Sequence, residues 1–114
     1  MSEKYANECE CPMMSTLNLI GGKWKMPILW KLYHADLRYN ELKRQLGGIA
    51  NVMLTRSLRD LEEAGLVNRI QHAEIPPHVT YTLTKYSRNL GKALLDIKEW
   101  GEQMQSIQNK ATQE

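Results

Sequence analysis

Residues 39–65 read YNELKRQLGGIANVMLTRSLRDLEEAG, and the leucine spacing on either side of Gly47-Gly48 decides the fold. Leu42 and Leu46 stand four apart, one helical turn on a single face. After the glycines and Ile49, Leu54, Leu58 and Leu61 repeat at helical spacing from Asn51 to Ala64, and Gly65 supplies the stop expected just past a helix end. The stretch is therefore a helix, a tight turn and a longer helix that buries one side only. On the other side of the longer helix, Val52, Thr55, Arg56 and Arg59 lie at i, i+3, i+4 and i+7. One face packs and the other offers contacts.

Downstream, Leu66 to Ile70 is apolar and partly β-branched, His72 to Pro77 breaks it, and His78 to Leu83 alternates Val79, Tyr81 and Leu83. That pattern predicts a two-stranded hairpin. Pro76-Pro77 lacks backbone donors and belongs in the loop or at an edge, so the loop projects. Upstream, Ser15 to Ile20 predicts a short helix closed by Gly21-Gly22. A second helix starts near Lys23 and carries Trp24, Ile28, Leu29 and Leu32, with Pro27 tolerated in its first turn. Thr84 is a candidate N-cap for a long helix over residues 85–107 with a broad apolar stripe of Tyr86, Leu90, Ala93, Leu94, Ile97, Trp100, Met104 and Ile107. Residues 1–10 and 108–114 read as a flexible start and tail.

The expected fold class is mainly α with a small β-hairpin wing, a single winged helix-turn-helix domain over residues 1–114 with N- and C-terminal dimerisation helices. The whole-chain numbers agree. A chain of 114 residues with 42% hydrophobic and 25% charged residues suits one soluble domain with one core. No apolar stretch approaches the roughly 20 residues of a membrane span, and the polar start lacks the basic and apolar regions of a secretory signal, which points to the cytoplasm. The net charge of +2 permits nucleic-acid binding without demanding it.

The chemistry of the exposed helix face suits double-stranded DNA. Arg pairs bidentately with guanine O6 and N7, and Thr and Val offer methyl contact to thymine. Arg56 is the first candidate for base readout, with Arg59 a turn on and Asn51, Val52 and Thr55 beside them. Arg38, Lys43 and Arg44, around the preceding helix, suit phosphate contacts that position without specifying. In the hairpin, Arg69, His72 and His78 flank the tip, where Glu74 would repel a phosphate.

The two cysteines, Cys9 and Cys11, stand too close together to staple a core. Cys11 precedes Pro12, where Lys4 or a helix N-terminus would favour the reactive thiolate; a passive, half-exposed thiol is the plainer alternative. Cys9 is near enough to serve as a resolving partner for a sulfenic acid, or to form a disulfide across a dimer axis. Cys-x-Cys with His34, His72 and His78 matches no common zinc spacing, so no metal or other cofactor is expected. The C-terminal stripe, with Leu94, Ile97, Trp100 and Met104 joined by Leu17, suits an isologous homodimer, which would set two recognition helices about 34 Å apart on an inverted-repeat operator. Nucleophile, phosphate-loop and paired-carboxylate arrangements are absent at recognisable spacing, and Asp60, Glu62 and Glu63 read as a solvated helix side, so an enzyme is not expected. A winged-helix protein-interaction module without specific DNA binding is the alternative, against which Arg56 and Arg59 argue.

Cys11-Pro12, Leu17 to Ile20, Gly22-Lys23-Trp24, Ile28-Leu29, Tyr39-Asn40-Glu41-Leu42, Met53-Leu54-Thr55, Leu58, Leu61-Glu62, Gly65-Leu66-Val67 and Pro76-Pro77 with Val79, Tyr81 and Leu83-Thr84 follow one pattern. The chain from about Cys11 to Gly101 resembles the HxlR-type family, relatives of the MarR regulators. The resemblance implies a dimeric winged-helix regulator of bacterial genes, and a cysteine at the Cys11 position that senses electrophiles, oxidants or aldehydes. An electrophile or small-molecule inducer is the partner this implies besides DNA. One departure stands out: Ala50 occupies a position where the family often carries Ser or Thr, so the helix cap is lost or moves to Asn51, at about 1 kcal/mol.

Overall fold

The computed structural model describes residues 11–113. Helix α1 (Pro12–Ile20) opens with proline in its first position, where a missing backbone donor costs nothing, three residues before the helix start expected at Ser15. Helix α2 (Lys25–His34) places Pro27 in its first turn and buries Ile28, Leu29 and Leu32. A two-residue strand β1 (Leu37–Arg38) leads into α3 (Tyr39–Leu46), and Gly47 and Gly48, at φ +52° and +84°, turn the chain into α4 (Asn51–Glu63). Strands β2 (Val67–His72) and β3 (His78–Leu83) form the hairpin, followed by the short α5 (Lys85–Arg88) and the long α6 (Gly91–Gln113).

α4 ends as its sequence predicts. Gly65 takes φ +79°, its N–H donates to the Glu62 carbonyl at 3.0 Å, and the Leu66 N–H reaches back to Leu61 at 2.9 Å. This pair of bonds satisfies carbonyls that the helix end would leave open, and only glycine adopts the left-handed turn without strain. The start of α4 is bare: Ala50 is the N-cap with no side-chain bond, so the cap is lost and has not moved to Asn51.

The sheet is antiparallel in the order β1-β3-β2. β2 pairs with β3 from Val67 opposite Leu83 to His72 opposite His78, and β1 pairs Leu37 with Tyr81 and Arg38 with Thr80. β1 was not anticipated; two residues carry no periodicity, and pairing with β3 makes them a strand. One core unites α2, α3, α4, the sheet and the start of α6 through Ile28, Leu29, Leu32, Leu42, Leu54, Leu58, Leu61, Val67, Tyr81, Leu83 and Leu94.

The single helix expected over 85–107 is two helices. Thr84 caps only α5, its Oγ1 accepting from the Ser87 N–H at 3.3 Å and donating to the Gly65 carbonyl at 2.8 Å. The buried Ser87 hydroxyl donates to the Leu66 carbonyl, which ties α5 to the chain reversal after α4. α6 then begins at Gly91, packed so closely on the Tyr33 ring that a β-carbon there would overlap it. α6 remains helical to Gln113, so most of the expected flexible tail is helix, in keeping with the good helix propensity of its Gln, Lys and Ala residues.

Candidate nucleic-acid interface

α4 divides as its pattern predicts. Leu54, Leu58 and Leu61 are within 1% of complete burial, while Val52 is 72% exposed and Asn51, Thr55, Arg56 and Arg59 share its exposed side. Asn51, Val52, Thr55, Arg56 and Arg59 line one hollow along the outer face of the helix together with Asp60. Asp60 is the one acid there, and it lies 3.8 Å from Lys25 of α2. Among the described residues, Arg38, Lys43, Arg44, Arg56, Arg59 and Arg69 enter no ion pair. Six cations of α3, α4 and the small sheet are thus left without an ion-pair partner among the described residues, which suits a polyanion.

A second hollow lies between the start of α3 and the hairpin, lined by Arg38, Tyr39, Asn40, Glu41, His78 and Val79. Glu41 serves the fold here, its carboxylate accepting from the Arg38 N–H at 2.9 Å and closing the first turn of α3. Arg38 and His78 are therefore brought together across the strand pair. Lys43, Arg44 and Arg69 line neither hollow; Arg44 and Arg69 are exposed and Lys43 is half-buried. Toward the hairpin end His72 and His78 face each other across β2 and β3 with ring centroids 4.4 Å apart and planes 18° from parallel. His72 Nε2 is hydrogen-bonded to Thr80 Oγ1 at 3.1 Å, and His78 Nδ1 donates to the Pro76 carbonyl at 3.3 Å, which fixes both rings.

Tyr39 is a residue of this surface that the sequence did not single out as functional. Its hydroxyl lies 3.2 Å from the Asn51 carbonyl, 3.3 Å from Asn51 Oδ1 and 3.3 Å from Thr55 Oγ1. A tyrosine twelve and sixteen residues before its partners gives no local signal of such a link.

Cys11 is exposed at the N-cap of α1, where its carbonyl accepts from Met14 N–H at 3.0 Å. Cys9 lies outside the described residues. No group of His, Cys, Asp and Glu that could hold a metal ion occurs among the described residues. Of the five side chains assigned to a dimer face, Leu94 is 6% exposed and already belongs to the core of a single chain. Ile97 at 51%, Trp100 at 62% and Leu17 at 47% remain exposed, and Met104 is half-buried. No helix among the described residues is long and apolar enough to cross a membrane.

A helix pair turned by two glycines, a second helix with an open basic face, and a small antiparallel wing define a winged helix-turn-helix DNA-binding protein. Residues 19–109 match the model of the HxlR-like helix-turn-helix family, and the chain belongs to that family. It is 41% identical over 110 residues to the HTH-type transcriptional regulator YybR of Bacillus subtilis, covering 94% of this chain and 88% of the relative. Among solved structures it is similar to the redox regulator HypR in its reduced form, with a TM-score of 0.81 and 38% identity over 88% of this chain and 99% of that one. The oxidised form of HypR matches with a TM-score of 0.78 and 42% identity, covering 82% and 96%. The chain is a DNA-binding transcription regulator of the helix-turn-helix type.

Proposed function

We propose that this regulator reads a specific inverted repeat in double-stranded DNA as a symmetric homodimer in the cytoplasm, and that oxidants or electrophiles change its affinity through Cys11. The observation that carries the DNA reading is the outer face of α4, where Arg56 and Arg59 stand exposed with no ion pair among the described residues. Arg56 contacts a guanine edge, Arg59 a base or phosphate, and Arg38, Lys43 and Arg44 the phosphates beside the groove. Arg69 and His78 serve the wing. Ile97, Trp100 and Met104 recur at i, i+3 and i+7 on one side of α6, and with the exposed Leu17 of α1 they form the dimer face, Ile97 and Trp100 being 51% and 62% exposed.

The redox part draws on the likeness to HypR, which is a redox regulator, and on the exposure of Cys11. A peroxide transfers one oxygen to the Cys11 sulfur, giving a sulfenic acid while the peroxide is reduced to water; an electrophile bonds to the same sulfur with loss of the thiol proton. Cys9 is positioned by sequence to resolve the sulfenic acid as a disulfide.

Fluorescence anisotropy at fixed salt tests both parts, with the duplex upstream of the protein's own gene against a scrambled duplex of equal length. A preference of about 10³-fold establishes specific binding. Equal, weak binding to both refutes it and redirects attention to a protein partner. Mild oxidation changes the affinity of the wild type and leaves that of Cys11→Ser alone; the same response in both would refute a sensing role for Cys11.

A further inference from the structure

The first turn of α4 has no side-chain cap, and the Tyr39 hydroxyl reaches into that turn from the start of α3. The Tyr39 ring is half-buried and packs against the core, so the core sets where its hydroxyl stands. A phenol has one proton to give and lone pairs that accept, whereas an amide oxygen only accepts. With the Asn51 main-chain carbonyl at 3.2 Å, Asn51 Oδ1 at 3.3 Å and Thr55 Oγ1 at 3.3 Å, the balanced arrangement has Tyr39 sharing its one proton between the two Asn51 oxygens and Thr55 donating to Tyr39. The carbonyl end of the Asn51 amide is then held against Tyr39. Its Nδ2 makes no hydrogen bond among the described residues, and Asn51 is exposed and lines the hollow that Arg56 also lines.

We infer that Tyr39 is a positioning residue for base recognition: it turns the donor end of Asn51 toward the DNA, so that the first turn of α4 selects a guanine edge and rejects adenine. Asparagine recognises adenine bidentately, accepting from N6 with its oxygen and donating to N7 with its nitrogen. Tyr39 withholds the oxygen. What remains is a donor with two hydrogens, which matches both acceptors of guanine, O6 and N7, whereas adenine offers it N7 alone and sets the N6 donor against it. The inference rests on the proposal that α4 reads DNA and adds which base its first turn selects.

The test begins with selection of preferred duplexes from a random library by the wild-type protein. Affinities are then measured at fixed salt for all four base pairs at each half-site position, for wild type, Tyr39→Phe, Asn51→Ala and the double variant. Tyr39→Phe keeps the ring and loses only the hydroxyl, and circular dichroism melts verify that the fold is kept. The wild type prefers guanine over adenine at one position by about tenfold, within the range of one good side-chain pair. Tyr39→Phe reduces that preference to about twofold or less and leaves the other positions unchanged; Asn51→Ala does the same, and the double variant behaves as Asn51→Ala alone. Asn51→Asp, a change at an exposed site, moves the preference from guanine to cytosine, whose N4 is a donor.

An unchanged base profile in Tyr39→Phe would overturn the inference. So would an equal loss of affinity for every sequence, which marks a phosphate contact or a purely structural role, or an effect of Tyr39→Phe that persists in the Asn51→Ala background. A wild type that enriches no sequence would remove the DNA-reading proposal and this inference together, whereas a selective wild type with an indifferent Tyr39→Phe removes the inference alone.

Discussion

Replacing Ala50 with serine repairs the bare start of α4. Ala50 has φ −77° and ψ 149°, the extended dihedrals of an N-cap, and its carbonyl already accepts the first helical bond from the Leu54 N–H at 2.9 Å. Its side chain is exposed, so a hydroxyl added there enters solvent and accepts from the N–H of Val52 or Met53 with no backbone change. Loss of a serine cap costs about 1 kcal/mol, and Ala50→Ser therefore stabilises by about the same amount. For 114 residues, an unfolding entropy of about 2.1 cal/mol/K per residue gives roughly 240 cal/mol/K, so 1 kcal/mol raises Tm by about 4 °C. Circular dichroism melts at matched protein concentration measure it, since association makes Tm concentration-dependent. Ala50→Asp gains at least as much from the helix dipole, yet it sets a carboxylate near the reading face and weakens DNA binding. A Tm unchanged or lowered in Ala50→Ser would refute the reasoning, showing that the first-turn donors lose nothing by facing water.

Arg56→Ala lowers affinity for the preferred duplex about tenfold or more and relaxes selectivity at one base pair, read by anisotropy; an unaltered profile would exclude Arg56 from base contact. Leu58→Ala, at a side chain 1% exposed, destabilises by about 2–5 kcal/mol in urea unfolding, and a loss under about 1 kcal/mol would mean the site collapses around the gap. Gly65→Ala places a β-carbon at φ +79° with no heavy atom within 4 Å, so its cost of about 1–2 kcal/mol is backbone strain alone. Trp100→Glu, on the exposed apolar stripe, yields a monomer by sedimentation and loses operator affinity, while a dimer that survives would move the interface elsewhere.

The parts legible in the sequence are those whose cause is local. The one-sided leucines of α4 and the glycine stop at Gly65 each follow from a few neighbouring residues and stand as read, and Thr84 is an N-cap as read, though of the four-residue α5 and not of the long helix. β1 depends on a partner more than forty residues away, so Leu37 and Arg38 carry no signal of their own. The break between α5 and α6 was hidden because Leu90 and Leu94 continue a helical spacing through it. What breaks the helix is the tie of Ser87 to Leu66 and the contact of Gly91 with Tyr33, both tertiary. In the candidate interface, the arginines follow a helical spacing that a sequence displays, whereas the Tyr39 hydroxyl joins two helices through contacts that no local pattern marks.

The contact of Gly91 with the Tyr33 ring also has a mechanical side. α6 is seated on the domain by Gly91 and Leu94, while residues 95–100 are exposed beyond them. The 19 residues from Leu95 to Gln113 extend about 28 Å at 1.5 Å per residue. A tilt of about 10° at the glycine seat therefore swings the far end by about 5 Å, roughly one turn of helix. In a dimer joined along α6, that leverage makes the fit of one aromatic ring against one backbone carbon a control on how far apart two reading heads stand, and a spacing error of that size is enough to put one of them out of its groove.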